Sequence, residues 1–220
     1  MVNQRIKQAL SDKSKYTYEN GVLINKLDIQ DQKELDEVEA SLTYLRLTNL
    51  SMQELKFSFD LNYYLAIHKY IFQDIYSFAG EIKDENISKG GIPFCRPEYV
   101  AIRMKETLAD LRKKIIKVTT KEEYIKLLAY FYGEINAIHP FREGNGRTLR
   151  EYLRQLVEVL NNYLPLPAYE LDYSAVTEQM RYNLIQGSKD SASKFDYSLL
   201  ELFFTDVLKE KQIENPTMNK

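Results

Sequence analysis

Residues 139–150 read His-Pro-Phe-Arg-Glu-Gly-Asn-Gly-Arg-Thr-Leu-Arg. They bring together an imidazole that can move a proton, a carboxylate that can hold a cation, and glycines and arginines that can cradle an anion. Pro140 excludes His139 from the helical region, so a preceding helix must end there and present the imidazole at its terminus. Gly144-Asn145-Gly146 lets the backbone come close to a ligand, directly before a helix whose first turn offers unpaired N–H groups and the positive end of a dipole. Arg147, Arg150 and Arg154 fall within about 60° of one another on a helical wheel, with Leu149, Leu153, Leu156, Val157 and Leu160 on the opposite side. Arginines in the first turn oppose the dipole, and a bound polyphosphate would relieve that cost through guanidinium forks. Glu143 would repel such an anion unless a cation lay between them, and Mg²⁺ with one protein carboxylate plus phosphate and water ligands is the ordinary arrangement. His139 is the nearby group that titrates around neutrality, and so the candidate general base for an incoming hydroxyl.

Each of these features is ordinary alone: a His before Pro is commonly structural, Gly-Asn-Gly a turn, and an arginine stripe a solvated face. Their coincidence within one short segment selects the phosphate-binding reading. A zinc site is disfavoured, because His139 and Glu143 have no second histidine nearby, and the single cysteine, Cys95, excludes a site built on thiolates.

The elements that must position this loop follow from periodicity. Asp31–Leu50 reads as a helix on Leu35, Val38, Leu42, Tyr44 and Leu45, and Asn62–Phe78 as a second, aromatic-rich one. Residues 79–96 break the helical period. Gly90-Gly91 between Ile87 and Ile92 signals a small β-hairpin, with Pro93 making its arm an edge. Tyr99–Ile116 returns to helical spacing. Thr120 and Glu123 form a capping box that starts a helix through Tyr124, Leu127, Leu128, Phe131 and Ile135, which delivers the chain to His139. A further helix begins near Arg147, Leu164–Ala168 is a connector, and Tyr173–Gln186 and Phe195–Lys209 are helical. Four of the eight glycines lie at 90, 91, 144 and 146, so half of the flexible positions serve two short stretches.

The chain's 220 residues with 44% apolar content suit one globular domain, and 30 basic against 32 acidic residues call for neither a nucleic-acid backbone nor an anionic membrane. The N-terminus lacks an apolar targeting segment and no run approaches a spanning helix. With one cysteine, the expected compartment is a reducing cytoplasm, with delivery into another cell left open.

His139 to Arg150 resembles the motif of the Fic (Fido-domain) proteins, HxFx(D/E)GNGRxxR, without departure at any fixed position. Tyr18–Leu27, Tyr70–Glu81 and Ile87–Gly91 are similar to other stretches typical of that family. The resemblance implies an all-α fold of about six to eight helices with a β-hairpin flap at 81–95, within a catalytic domain over 18–200. A flexible extension at 1–17 and a helix end with polar tail at 201–220 flank it. It also implies protein adenylylation: AMP passes from ATP to a Ser, Thr or Tyr hydroxyl of a target protein. By motif position His139 is the base, Phe141 anchors the loop in the core, Glu143 holds Mg²⁺, and Gly144, Asn145 and Gly146 form the anion hole. Arg147 and Arg150 bind the outer phosphates, with Arg142 grouped among the nucleotide-binding residues. Ser88, Lys89, Gly90 and Gly91 form the flap, where a target segment aligns by strand addition. The relative called Doc, which phosphorylates its target, has bulkier residues in the Gly-Asn-Gly region, so Gly144 and Gly146 favour adenylylation over kinase activity. Transfer of phosphocholine stays open, as does an ATP-binding regulatory module without turnover.

Many family members carry an inhibitory helix, [S/T]xxxE[G/N], whose Glu pairs with the second motif arginine. The nearest stretches each miss one position: Glu19-Asn20 has Lys15 where Ser or Thr is required, and Glu81, Glu123 and Glu178 are followed by Ile82, Tyr124 and Gln179. Inhibition is therefore expected in trans, from a small antitoxin-like protein that supplies a Glu to Arg150, the competing view being an unregulated effector.

Overall fold

The structure is a computed structural model and describes residues 14–212. Most of the expected extension at 1–17 and the polar tail beyond residue 212 lie outside them. Among the described residues there are seven α-helices: α1 Gln32–Ser51, α2 Leu61–Phe72, α3 Pro97–Ile115, α4 Lys121–Ile138, α5 Asn145–Leu160, α6 Glu178–Lys194 and α7 Ser198–Val207. Two antiparallel strand pairs accompany them, β1 Ser88–Lys89 with β2 Ile92–Pro93, and β3 Tyr169–Leu171 with β4 Leu208–Glu210. The all-α expectation with a small hairpin holds. The hairpin is shorter than the segment assigned to it, and the second strand pair was not foreseen, since strands of three residues are too short to show alternation.

The described residues divide into two compact units, the first running to Gln53 and resuming over Leu65–Glu81, the second made of Glu54–Tyr64 and the chain from Ile82 onward. In the first, Asp31 caps α1 by accepting from the Glu34 N–H at 2.9 Å. The expected apolar face of α1 is only partly buried: Leu35 is 1% exposed, but Tyr44 and Leu45 are 73% and 56% exposed. Polar side chains hold the inner face instead. Arg46 forms a fork to Asp74 at 2.6 and 2.8 Å, Tyr76 donates to Glu39, and Thr43 is buried. The helix expected over 62–78 stops at Phe72, after which Ile75, Tyr76 and Phe78 stay buried in successive turns. The Lys26 backbone N–H donates to the Ile75 carbonyl, and His68 Nδ1 accepts the Gly80 N–H, so these backbone groups are satisfied outside a helix.

The second unit is built around α4, which packs against α3, α5, α6 and α7. Its many buried side chains, Tyr124, Leu128, Phe131, Tyr132 and Ile135 among them, explain why its apolar pattern extends well around the helix. Thr120 caps it, accepting from the Glu123 N–H at 3.2 Å, but the Glu123 carboxylate reaches back to Thr119 rather than Thr120, at 2.9 Å from its N–H and 3.0 Å from its hydroxyl. The predicted apolar stripe of α5 is buried throughout: Leu149, Leu153, Leu156, Val157 and Leu160 are at most 3% exposed.

The helix expected from Tyr173 begins at Glu178. Asp172 takes the Ser174 N–H and hydroxyl in a local turn, and Thr177 caps α6 through the Met180 N–H. At the other end Phe195 adopts φ 56°, closing α6 before α7 starts at Ser198, so the expected helix over 195–209 is shortened at both ends.

Gly133 lets α4 approach its neighbours, because a Cβ there would lie 2.8 Å from both Ser191 Oγ and Tyr197 Cε1. Alanine favours a helix interior by about 1 kcal/mol over glycine, but overpacking of about 1–3 kcal/mol outweighs that gain. Gly133→Ala is therefore expected to lower the melting temperature, and an unchanged or raised midpoint would contradict this packing.

Candidate active site

The site begins where α4 ends. His139 closes the helix in the left-handed region, φ 51° and ψ 65°, with its N–H donated to the Ile135 carbonyl at 3.0 Å. Pro140 removes it from the helical region as expected. The conformation adopted is left-handed rather than extended, one of three such non-glycine residues among those described.

The next turn is fixed from inside. Phe141 is 0% exposed and stacks on Tyr64 with ring centroids 5.7 Å apart and planes 1° apart. Asn145 clamps its main chain from both sides, Oδ1 accepting from the Phe141 N–H at 2.9 Å and Nδ2 donating to its carbonyl at 2.8 Å. The Asn145 side chain is thus engaged in shaping the loop, and what it offers an anion is its place in the first turn of α5. Gly144, at φ 80°, caps that helix, and Thr148 Oγ1 donates to its carbonyl at 3.0 Å. Gly146 leaves room for Arg150, whose Nη1 would lie 3.2 Å from a Cβ there.

A cavity of about 380 Å³ opens onto this loop, within the range of small-molecule sites. His139, Arg142, Glu143, Asn145, Gly146 and Arg150 line it, with Lys89 from the hairpin. Phe141, Gly144, Arg147, Ser88, Gly90 and Gly91 do not. Arg147 lies by Glu143, Nη2 3.6 Å from Oε1, and that same oxygen accepts the Gly144 N–H at 2.8 Å. Arg142 pairs with Glu85 at 2.6 Å, which joins the loop to the segment leading into the hairpin. Arg154, on the same stripe by the wheel, is engaged by Glu151 and Glu158, each at 2.8 Å.

The cavity also contains residues that motif reading missed: Ile92 and Phe94 from the hairpin arm, Tyr132 and Asn136 from α4, and Leu184, Ile185, Ser188, Lys189 and Ala192 from α6. Those of α6 recur at helical spacing on one face, a signal that the early placement of that helix at 173–186 obscured. Burial pushes the Tyr132 phenol up, and the neighbouring Arg150 guanidinium opposes that push. A second groove of about 780 Å³ contains Asp60, Lys105, Arg112 and Lys113. Neither a histidine nor a cysteine lines it.

The imidazole of His139 lies flat on Phe94, with centroids 3.7 Å apart and planes 10° apart, and its Nδ1 is 3.2 Å from the Asn136 carbonyl. Burial pushes its pKa down to about 4, the Asn136 carbonyl opposes that, and the charges of Lys83 and Lys89 add to it. At neutral pH the ring is uncharged. A proton placed on Nδ1, where the carbonyl accepts it, leaves the Nε2 lone pair available as a base.

The helical bundle carries the hairpin arm and the glycine- and arginine-bearing loop on one cavity, and comparison with known proteins identifies the kind of fold. Residues 58–157 match the profile of the Fic/DOC family. The chain is 38% identical to the probable protein adenylyltransferase y4lH of Sinorhizobium fredii over 70% of its own length and 76% of that protein. It is 35% identical to the protein adenylyltransferase VbhT of Bartonella schoenbuchensis over 73% of its own length, but spans only 32% of VbhT. The crystal structure of the Bartonella tribocorum effector BepC, which holds AMPPNP, superimposes with a TM-score of 0.77 at 20% identity, covering 90% of this chain and 97% of that one. The chain belongs to the Fic/DOC family.

Proposed function

We propose that this chain transfers AMP from ATP to a Ser, Thr or Tyr hydroxyl of a target protein. The observation that carries the reading is the uncharged His139 lining the same cavity as the first turn of α5 and Arg150. His139 Nε2 takes the proton of the target hydroxyl, whose oxygen attacks the α-phosphorus of ATP. The bond to the β-phosphate oxygen breaks, and pyrophosphate leaves. The α5 first turn at Asn145 and Gly146 supplies N–H groups and the positive dipole end to the phosphates, and Arg150 supplies a guanidinium fork. Arg147 and Arg150 are assigned to the outer phosphates, with Arg147 exchanging Glu143 for phosphate oxygen, and Arg142 is grouped with the nucleotide-binding residues. The apolar face of Leu184, Ile185 and Ala192 suits a purine base. The similarity to two adenylyltransferases supports the same reaction.

Glu143 is assigned to Mg²⁺, which when bound supplies positive charge to the phosphates. The residues present fit this role: the carboxylate lies in the cavity and is 45% exposed, and Mg²⁺ is ordinarily held by one or two carboxylates together with phosphate and water oxygens. The exposed tip at Ser88, Lys89, Gly90 and Gly91 is assigned to the target segment, Phe141 to anchoring the loop, and residues 18–200 to the catalytic domain. A small partner carrying a Glu for Arg150 is the assigned inhibitor. The chain acts in the cytoplasm in which it is made or in a cell to which it is delivered. No described helix is long and apolar enough to cross a membrane.

The test incubates the purified chain with ATP labelled at the α-phosphate, Mg²⁺ and host-cell extract. Labelled protein that disappears with EDTA or His139→Ala supports the reading, and ATP bound without any labelled protein contradicts it.

The pH dependence carries a definite sign. An ordinary histidine near 6.5 is about nine-tenths protonated at pH 5.5, with roughly a tenfold loss of base. His139, held to about 4, stays neutral there. The expected kcat/KM at pH 5.5 is within about twofold of that at pH 7.5, and a tenfold drop would contradict the assignment. The same shift makes folding stability fall as pH drops from about 6.5 toward 4, since the unfolded chain takes up its proton first.

A further inference from the structure

Among the described residues Lys83 is the only buried lysine, 2% exposed, and no carboxylate there pairs with it. An ammonium buried without a carboxylate is costly, and a position that merely filled space would be served by an apolar side chain. What surrounds Lys83 is the catalytic histidine's own scaffold. Its backbone N–H donates to the Pro140 carbonyl at 2.8 Å, and its Nζ donates to the Ile138 carbonyl at 3.4 Å, so it holds the carbonyls on both sides of His139. The same Nζ sits over the Phe94 ring, 5.6 Å from its centroid, and it is against Phe94 that the imidazole stacks. One residue further on, the Cys95 N–H donates to the Ala137 carbonyl at 3.2 Å, which completes the attachment of the hairpin stem to the end of α4.

We propose that Lys83 is a positioning residue for His139, fixing the left-handed turn through the two flanking carbonyls and the imidazole through the Phe94 ring that both side chains share. This rests on His139 acting as the base. The charged groups that share the cavity with the imidazole are Lys89, Arg142, Glu143, Arg150 and Lys189, and Lys83 differs from them in being buried behind it. Burial pushes the Lys83 ammonium down to about 8, with the Cys95 thiol opposing, so Lys83 changes charge in an accessible range.

The chain has only two histidines, His68 and His139, so the imidazole signals that vanish in His139→Asn are those of His139. In the wild-type protein the His139 signal is expected to show an inflection near pH 8, absent in Lys83→Met and retained in Cys95→Ser. In the transfer assay Lys83→Met is expected to lower kcat at least about tenfold with KM for ATP within about twofold, and Lys83→Arg to recover most of the loss. A wild-type His139 signal that is flat through pH 8 overturns the proposal, as does a folded Lys83→Met with wild-type kcat. The wild-type titration needs neither turnover nor a substituted chain. An inflection in a protein that never labels a target therefore counts against the transferase reading and leaves the coupling of the two side chains in place.

Discussion

Replacing His139 with alanine is expected to reduce AMP transfer by about 10²–10⁴-fold in kcat, the range a positioned general base contributes. ATP affinity should change little, because the first turn of α5 and Arg150, to which phosphate binding is assigned, do not depend on the imidazole. Backbone geometry makes the choice of variant matter. His139 sits at φ 51°, where a residue with a plain Cβ is strained by about 1–2 kcal/mol. Asparagine tolerates this region and cannot act as a base, so His139→Asn separates the chemistry from the turn. Both variants should lose transfer to a similar extent while binding ATP, with His139→Asn melting closer to wild type. A His139→Asn protein with more than about a tenth of the wild-type rate would remove the imidazole from the mechanism.

The second large effect is on stability. Phe141 has no exposed surface, and its ring lies parallel to Tyr64, itself 0% exposed. Truncating a phenylalanine in such surroundings costs about 3–5 kcal/mol from lost transfer energy and an uncollapsed cavity. That is a large fraction of the roughly 5–15 kcal/mol that holds a typical domain together. Phe141→Ala should therefore shift the urea midpoint strongly downward, and Phe141→Leu by clearly less. Because Asn145 grips the Phe141 main chain at 2.9 and 2.8 Å, the movement reaches the start of α5, and transfer activity should fall in the protein that remains folded. A Phe141→Ala protein of unchanged midpoint would show that the loop is not anchored by this ring.

The sequence makes the loop legible because local rules agree there. Pro140 ends α4, Gly144 caps α5, and the Leu149-to-Leu160 stripe is buried as its spacing requires. Tertiary demands overrode pattern elsewhere. Tyr44 and Leu45 look like core on a wheel, yet Thr43 and the Arg46–Asp74 fork occupy the inner face of α1. Ile75, Tyr76 and Phe78 have the composition of a helix but are buried in turns, since periodicity cannot distinguish a buried turn from a buried helical face. At the site, charge and glycine placement single out the loop at 139–150. They do not reveal Phe94, Tyr132 or the α6 face, whose apolar and aromatic side chains gain meaning only from what they pack beside. Lys83 is the extreme case, a residue that reads as solvated surface until its burial is seen.

This loop is expected to direct the α-phosphate, and not the γ-phosphate, onto a protein hydroxyl. The most direct measurement runs two parallel reactions in host-cell extract with Mg²⁺, one with ATP labelled at the α-phosphate and one with ATP labelled at the γ-phosphate, each with wild-type protein and His139→Asn. Labelled protein is expected from the α-labelled nucleotide alone, its label released as AMP on hydrolysis and absent with His139→Asn. Label carried over from the γ-phosphate, or α-label that persists without His139, would contradict it.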